Sequence, residues 1–187
     1  MTTTRGRLMA SAVLAPALAL TLTACGGDGR DYTVPEAACG VPLDEKVLSP
    51  FLVDGERLTV TGDSVVDPPQ GKTWSRCELR VDGALVVGLQ VDRVDKLYDP
   101  MHASEEYRFR SRAKMTGLPF SGLGAVGDSN SMVATPCSGP GVDHLIAYVS
   151  VDGGTEGGSG TAERREAIET FTLDFVPKVK KELGCTA

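Results

Sequence analysis

Residues 74–94 read Trp-Ser-Arg-Cys-Glu-Leu-Arg-Val-Asp-Gly-Ala-Leu-Val-Val-Gly-Leu-Gln-Val-Asp-Arg-Val. Apolar side chains alternate at Cys77, Leu79 and Val81 and again at Leu85, Val87, Leu89 and Val91. A period of two places each set on one face of a strand. Between the runs stands Asp82-Gly83, a dipeptide suited to the two left-handed conformations of a tight hairpin turn. The stretch therefore predicts a β-hairpin from Trp74 to Val81 and Ala84 to Val94. Downstream, Ser131 to Cys137 and Asp143 to Val151 predict a second hairpin, joined through Ser138, Gly139, Pro140 and Gly141. Leu145, Ala147, Val149 and Val151 supply its inward face.

Outward from the hairpins, the periodicity changes. Leu43, Val47, Leu48 and Phe51 fall on one face of a short helix within Pro42 to Leu52, and Pro42 suits its first turn. Arg57 to Thr61 alternates as a short strand, followed by a Gly-, Asp- and Pro-rich loop from Gly62 to Lys72. Residues 100–115 are helix-compatible and highly charged around Tyr107 and Phe109, which predicts a solvated helix. Gly117 to Asn130 reads as a Gly-rich connection, and Asp152 to Gly160 as a flexible loop. Thr161 then caps a long helix in which Ile168, Phe171, Phe175, Val179 and Leu183 recur every three or four residues; Gly184 ends it. Pro177 lies inside that pattern and predicts a kink or bend, because it removes a backbone donor. The expected class is α+β, an antiparallel sheet built from two hairpins with flanking helices and a long C-terminal amphipathic helix.

Composition narrows the possible functions. At 187 residues there is room for one ordinary domain, and a hydrophobic content of 41% excludes a disordered acidic tail. No apolar run is long enough for a polytopic membrane protein. The formal charge of −6 disfavours nucleic acid, whose affinity for proteins comes from Lys and Arg releasing counterions. Aromatic residues at 5%, with Trp74 the single Trp, argue against an aromatic sugar platform.

Residues 1–24 have the anatomy of an export signal: Arg5 and Arg7, an apolar run from Leu8 to Leu20 broken by Pro16, and small residues at the exit. The exit, Leu22-Thr23-Ala24-Cys25, resembles the lipobox of bacterial lipoproteins. That resemblance implies diacylglyceryl transfer to the Cys25 thiol and cleavage before it, with the outer face of the cytoplasmic membrane as the destination. A second acyl chain turns marginal membrane binding into stable anchoring, at about 0.8 kcal/mol per buried methylene. Without Arg5 and Arg7, 17 basic side chains face 25 acidic ones, so the mature chain carries −8 and an anionic leaflet repels it. The expected organisation is a cleaved signal at 1–24, the lipidated Cys25 with a solvated spacer to residue 38, and one disulfide-bonded domain over 39–187.

Cys39, Cys77, Cys137 and Cys185 remain, an even number in a chain exported to an oxidising compartment, which predicts two disulfides. Three connectivities are open. Cys39 with Cys77 and Cys137 with Cys185 is favoured, since each pair then ties a helical segment to a nearby strand. The four lie at least 38 positions apart without a Cys-x-x-Cys spacing, so no metal site is expected of them.

The order of features is similar to that of small exported actinobacterial lipoproteins of unknown function, some with a PsbP-like α/β sandwich. Carrying the similarity are the Cys39-Gly40 start before a short Leu-rich helix, Cys77 opening a strand, the Gly124 to Asp128 turn, and the Gly184-Cys185 close. Trp74 departs from the pattern by standing three residues before Cys77, where the family places a tryptophan two after its strand cysteine. The resemblance implies a fold and a location and brings no catalytic residues or cofactor.

Chemistry-bearing residues are sparse. Gly127-Asp128-Ser129 resembles the nucleophile surround of chymotrypsin-like proteases, but Asn130 and Ser131 replace the Gly-Gly that follows there. His102 and His144 are the candidate bases for Ser129. Glu105 and Glu106 are adjacent and point about 100° apart on a helix, which makes no paired-carboxylate site. Asp92, Asp95 and Asp99 lack the turn glycine and terminal Glu of a calcium loop. Gly153 to Gly160 has no Lys-bearing phosphate fingerprint. The expected function is a non-enzymatic, lipid-anchored binding or protein-interaction module without cofactor, its partner an envelope protein or a small molecule; a hydrolase using Ser129 with His102 or His144 is the alternative.

Overall fold

The computed structural model describes residues 29–139, 141–152 and 160–186. Residues 1–28, on which the expected signal, the expected lipidation at Cys25 and the first residues of the expected spacer fall, lie outside the described residues, as do Pro140, residues 153–159 and Ala187. In chain order the elements are β1 (Ala37–Ala38), β2 (Val41–Pro42), α1 (Glu45–Leu48) running into a 3-10 turn at Ser49–Phe51, β3 (Leu58–Gly62), β4 (Trp74–Val81) and β5 (Ala84–Val94). A 3-10 segment (Ala103–Arg108) follows, then β6 (Ala113–Lys114), β7 (Leu123–Val126), β8 (Asn130–Gly139), β9 (Val142–Val151) and α2 (Thr161–Glu182).

Both hairpins form. Asp82 and Gly83 take φ of 49° and 86°, the doubly left-handed turn whose twist matches that of the flanking strands. The hairpins abut through β5 and β9, from Val87 opposite Val151 to Val94 opposite His144, and together make the centre of one antiparallel sheet. That sheet is larger than two hairpins: seven strands in the order β3-β4-β5-β9-β8-β7-β6, with β1 and β2 forming a separate two-stranded pair. The α+β class holds. The Gly117 to Asn130 connection contains a strand, β7, which pairs with β8 from Leu123–Ala134 to Val126–Ser131. Its Gly and Ala residues carry no apolar alternation to reveal it.

One face of the sheet is covered by α2, which packs on β7, β8 and β9 and against α1 and β2. Ile168, Phe171, Phe175 and Val179 are buried with Cys77, Leu79, Val87, Leu89, Val91, Leu145 and Val149 in one cluster, and Leu183 is half-buried at its border. The Phe171 ring stands edge-on to Phe51 with centroids 5.8 Å apart and stacks on Phe175 at 5.9 Å. The cap of α2 is Gly160 instead of Thr161; the Glu163 carboxylate turns back to accept from its backbone N–H at 3.2 Å. The helix runs through Pro177 to Glu182.

Cys39 is bonded to Cys77 and Cys137 to Cys185, the pairing favoured on the ground that each tie joins a helical segment to a nearby strand. The first ties the N-terminal segment to β4, and the second ties the end of α2 to β8. Thr186 extends the second tie, its hydroxyl donating to the Ser138 carbonyl at 2.9 Å.

Two expectations are corrected. Residues 29–38 are not a solvated spacer but dock on the domain: Arg30 donates to the Ser49 hydroxyl at 3.0 Å and the Leu52 carbonyl at 2.9 Å, and the Tyr32 hydroxyl donates to the Val53 carbonyl at 2.6 Å. Carbonyls at the end of the 3-10 turn need donors, and a lone Arg supplies them. Tyr32, Val34 and Ala38 also pack against the core. The charged helix expected over 100–115 shrinks to the 3-10 segment, after which the chain is extended at Phe109. Phe109 and Tyr98 pack on Met132, Ala134 and Ile146, on the sheet face opposite α2. Reaching that apolar patch with both rings outweighs helix propensity, which is worth less than about 1 kcal/mol per residue.

Candidate functional site

Ser129, His102 and His144 are not brought together. Ser129 lies in the β7–β8 turn, where its carbonyl accepts from the Val151 N–H at 2.9 Å. His144 stands opposite Val94 and Pro136, seven residues back along β9 from Val151, roughly 20 Å away at the rise of a strand. Its Nδ1 is buried and has no hydrogen-bond partner among the described residues. His102 caps the 3-10 segment, with Nδ1 2.9 Å from the Ser104 hydroxyl and its carbonyl accepting from Arg112 at 2.8 Å. Asp128, beside Ser129, is held by Arg165: Nη2 lies 2.7 Å from Oδ1, and the same Nη2 also donates to the Ser111 carbonyl. The Arg165 hydrogen bonds, joined by one from Ser111, hold its carboxyl below the usual carboxylate range. The Gly-Asp-Ser turn is thus a clasp between the sheet and the first turns of α2.

A groove that draws on several strands at once lies on the opposite side of the sheet. There the outward-facing residues of β4, β5, β9 and β8 form cross-strand rows: Arg76, Gln90, Tyr148 and Met132 in one, and Glu78, Gly88, Ser150 and Asn130 in the next. The 3-10 segment overhangs these rows and places Tyr107 and Arg108 above them, leaving a groove of about 360 Å³ lined by Arg76, Gly88, Gln90, Tyr107, Arg108, Asn130, Tyr148 and Ser150. That volume is in the range of small-molecule sites. Gly88 makes the floor low. A Cβ there would come within 2.5 Å of the Ser150 hydroxyl and 3.8 Å of Arg76 Nη2, so a glycine in this strand lets the side chains close over bare backbone.

Arg108 has partners on several sides in the groove. Its guanidinium lies 4.9 Å from the centroid of the Tyr107 ring and 5.4 Å from that of Tyr148, and Nε pairs with Glu105 at 2.5 Å. Its carbonyl accepts from Asn130 Nδ2 at 2.7 Å. Tyr148 is pushed up to about 12 by burial, with the Asp92 charge adding to the shift, so the phenol keeps its proton and remains a donor at neutral pH. Asp92 is itself raised by burial, against the pull of the Gln90 amide that donates to it at 2.9 Å. Trp74, 44% exposed, sits on the same face opposite Asp92.

Sequence reasoning missed this groove. Residues 100–115 read locally as a solvated helix, and nothing in that stretch indicates that Arg108 folds back over β8 and β9. The one available signal was Gly88, an isolated glycine in an otherwise apolar strand. Lys180 was missed as well: it is buried, its Nζ 3.2 Å from the Thr135 hydroxyl and 5.9 Å from the Phe120 centroid, and burial lowers its pKa. Its place in the last turn of α2 gives it the partial negative charge of the helix end. Among the described residues no group of three His, Cys, Asp or Glu is placed to hold a metal ion, and no helix is long and apolar enough to cross a membrane. Comparison with known protein families, with curated proteins and with solved structures found no match to this chain.

Proposed function

We propose that this chain is a non-enzymatic, lipid-anchored binding module on the outer face of the cytoplasmic membrane, one of the small exported actinobacterial lipoproteins, with the outer-face groove as its ligand site. The observation that carries the binding reading is the groove itself, where donors converge on a glycine floor; among the described residues neither His102 nor His144 is hydrogen-bonded to Ser129. The anchor rests on the Leu22 to Cys25 resemblance. The docking of residues 29–38 changes what anchoring means, because only residues 26–28 separate Cys25 from the packed domain. Four extended steps reach at most about 14 Å. The domain then stands close to the bilayer, with the end bearing Arg30 and Tyr32 nearest to it.

Labelled palmitate incorporates into the native chain and not into Cys25→Ser, as read by autoradiography of the purified protein; label in the variant, or none in the native chain, removes the anchor. A covalent serine-directed probe leaves Ser129 unmodified in the folded, oxidised protein, as read by peptide mass spectrometry. Stoichiometric modification of Ser129 would replace the binding reading with the hydrolase.

A further inference from the structure

We infer that the groove recognises a small oxyanion, a carboxylate or a phosphate, clamped between Arg108 and Arg76; this rests on the groove being the ligand site. A guanidinium has two hydrogen-bonding edges, and both arginines spend the Nε side on a glutamate, Arg108 on Glu105 and Arg76 on Glu78 at 3.1 Å. Among the described residues no Nη group of either arginine makes a hydrogen bond, so that edge of each fork is open to a ligand. Both line the same groove. Arg76 comes from β4, with Nη2 3.8 Å from the position a Cβ would take on Gly88; Arg108 comes from the overhanging segment.

Immobilisation separates this arrangement from an ordinary surface ion pair. Two long side chains normally lose rotamer entropy on binding. Arg108 has lost it already, held between two tyrosine rings, on Glu105 and through its own carbonyl. Tyr107 is 76% exposed, which contributes little to the core but supplies one side of that stack. Because the glutamates offset the arginine charges, the groove does not attract anions by its field. It selects by the planar fork, which matches the two oxygens of a carboxylate or phosphate. The protonated Tyr148 hydroxyl lines the same cavity as a further donor.

The full chain is titrated in parallel with inorganic phosphate and with succinate at constant ionic strength, followed by calorimetry and by the fluorescence of Trp74, the single Trp and on the same sheet face. Saturable one-site binding is expected for at least one probe, and the tighter of the two assigns the oxyanion. Arg108→Lys and Arg76→Lys keep the charge but lose the fork, and each is expected to weaken binding about ten-fold or more with an unchanged urea midpoint. Tyr107→Ala weakens it several-fold. Affinity unchanged from the native chain in both lysine variants, or no saturation by either probe up to about 10 mM, ten-fold above a weak millimolar site, overturns the oxyanion assignment. In that event, native mass spectrometry of the chain recovered from envelopes separates the two readings. A bound small molecule that Gln90→Trp excludes and the lysine variants do not would leave the groove a ligand site for another chemistry, while no bound molecule removes both readings.

Discussion

Replacing Phe171 or Phe175 by Ala is expected to destabilise the oxidised protein by about 3–5 kcal/mol each. Both rings are about 1% exposed, in contact with one another, and Phe171 also meets Phe51 edge-on. Truncation therefore removes transfer energy and leaves a cavity between α2, the 3-10 turn and the sheet, which a helix fastened at its far end by Cys185 cannot close by sliding. The two losses should not add simply, because the rings share partners. Urea unfolding followed by circular dichroism measures the effect. A loss below about 1 kcal/mol at both positions would mean that α2 does not pack as described.

Removing both disulfides is expected to unfold the protein at ambient temperature. The bridges span sequence separations of 38 and 48 residues, and in the chain-entropy account loops of that size contribute about 4 kcal/mol each. Together that is comparable with the whole net stability of a typical domain, about 5–15 kcal/mol. The two should also differ in kind. Cys137→Ser with Cys185→Ser frees the end of α2 and Thr186 from β8, so amide exchange rises first in the last turns of the helix. Cys39→Ser with Cys77→Ser frees the N-terminal segment from β4 and exposes the Arg30 and Tyr32 contacts. Urea midpoints of the two double variants and of the fully reduced protein test this; a reduced protein that keeps its oxidised midpoint would contradict it.

The parts of the fold legible in the residue order are those set by local rules. Alternation and a tight turn define β4 and β5 because period and φ depend only on neighbouring residues. The stripe from Ile168 to Val179 reveals α2 for the same reason. The cysteine pairing was favoured correctly because few partners were available and each tie joined elements already identified. Where the outcome depended on distant partners, local reading failed. Arg30 and Tyr32 look like linker residues until the carbonyls of Ser49, Leu52 and Val53 are placed beside them. Leu123-Gly124-Ala125-Val126 becomes a strand only because β8 offers it an edge.

By itself the sequence determined the α+β class, the two hairpins and the buried face of the terminal helix, since each rests on periodicity or on the conformational preference of a few adjacent residues. The tertiary structure alone decided that the hairpins meet through β5 and β9, that 29–38 belongs to the domain, and that the charged stretch around Tyr107 is an overhang. It also placed Arg76, 32 positions before Arg108 in the chain, in the same groove. Such a site is a sum of side chains from separate elements. Their convergence is set by which surfaces must be buried together, a property of the whole packed chain and of no window within it.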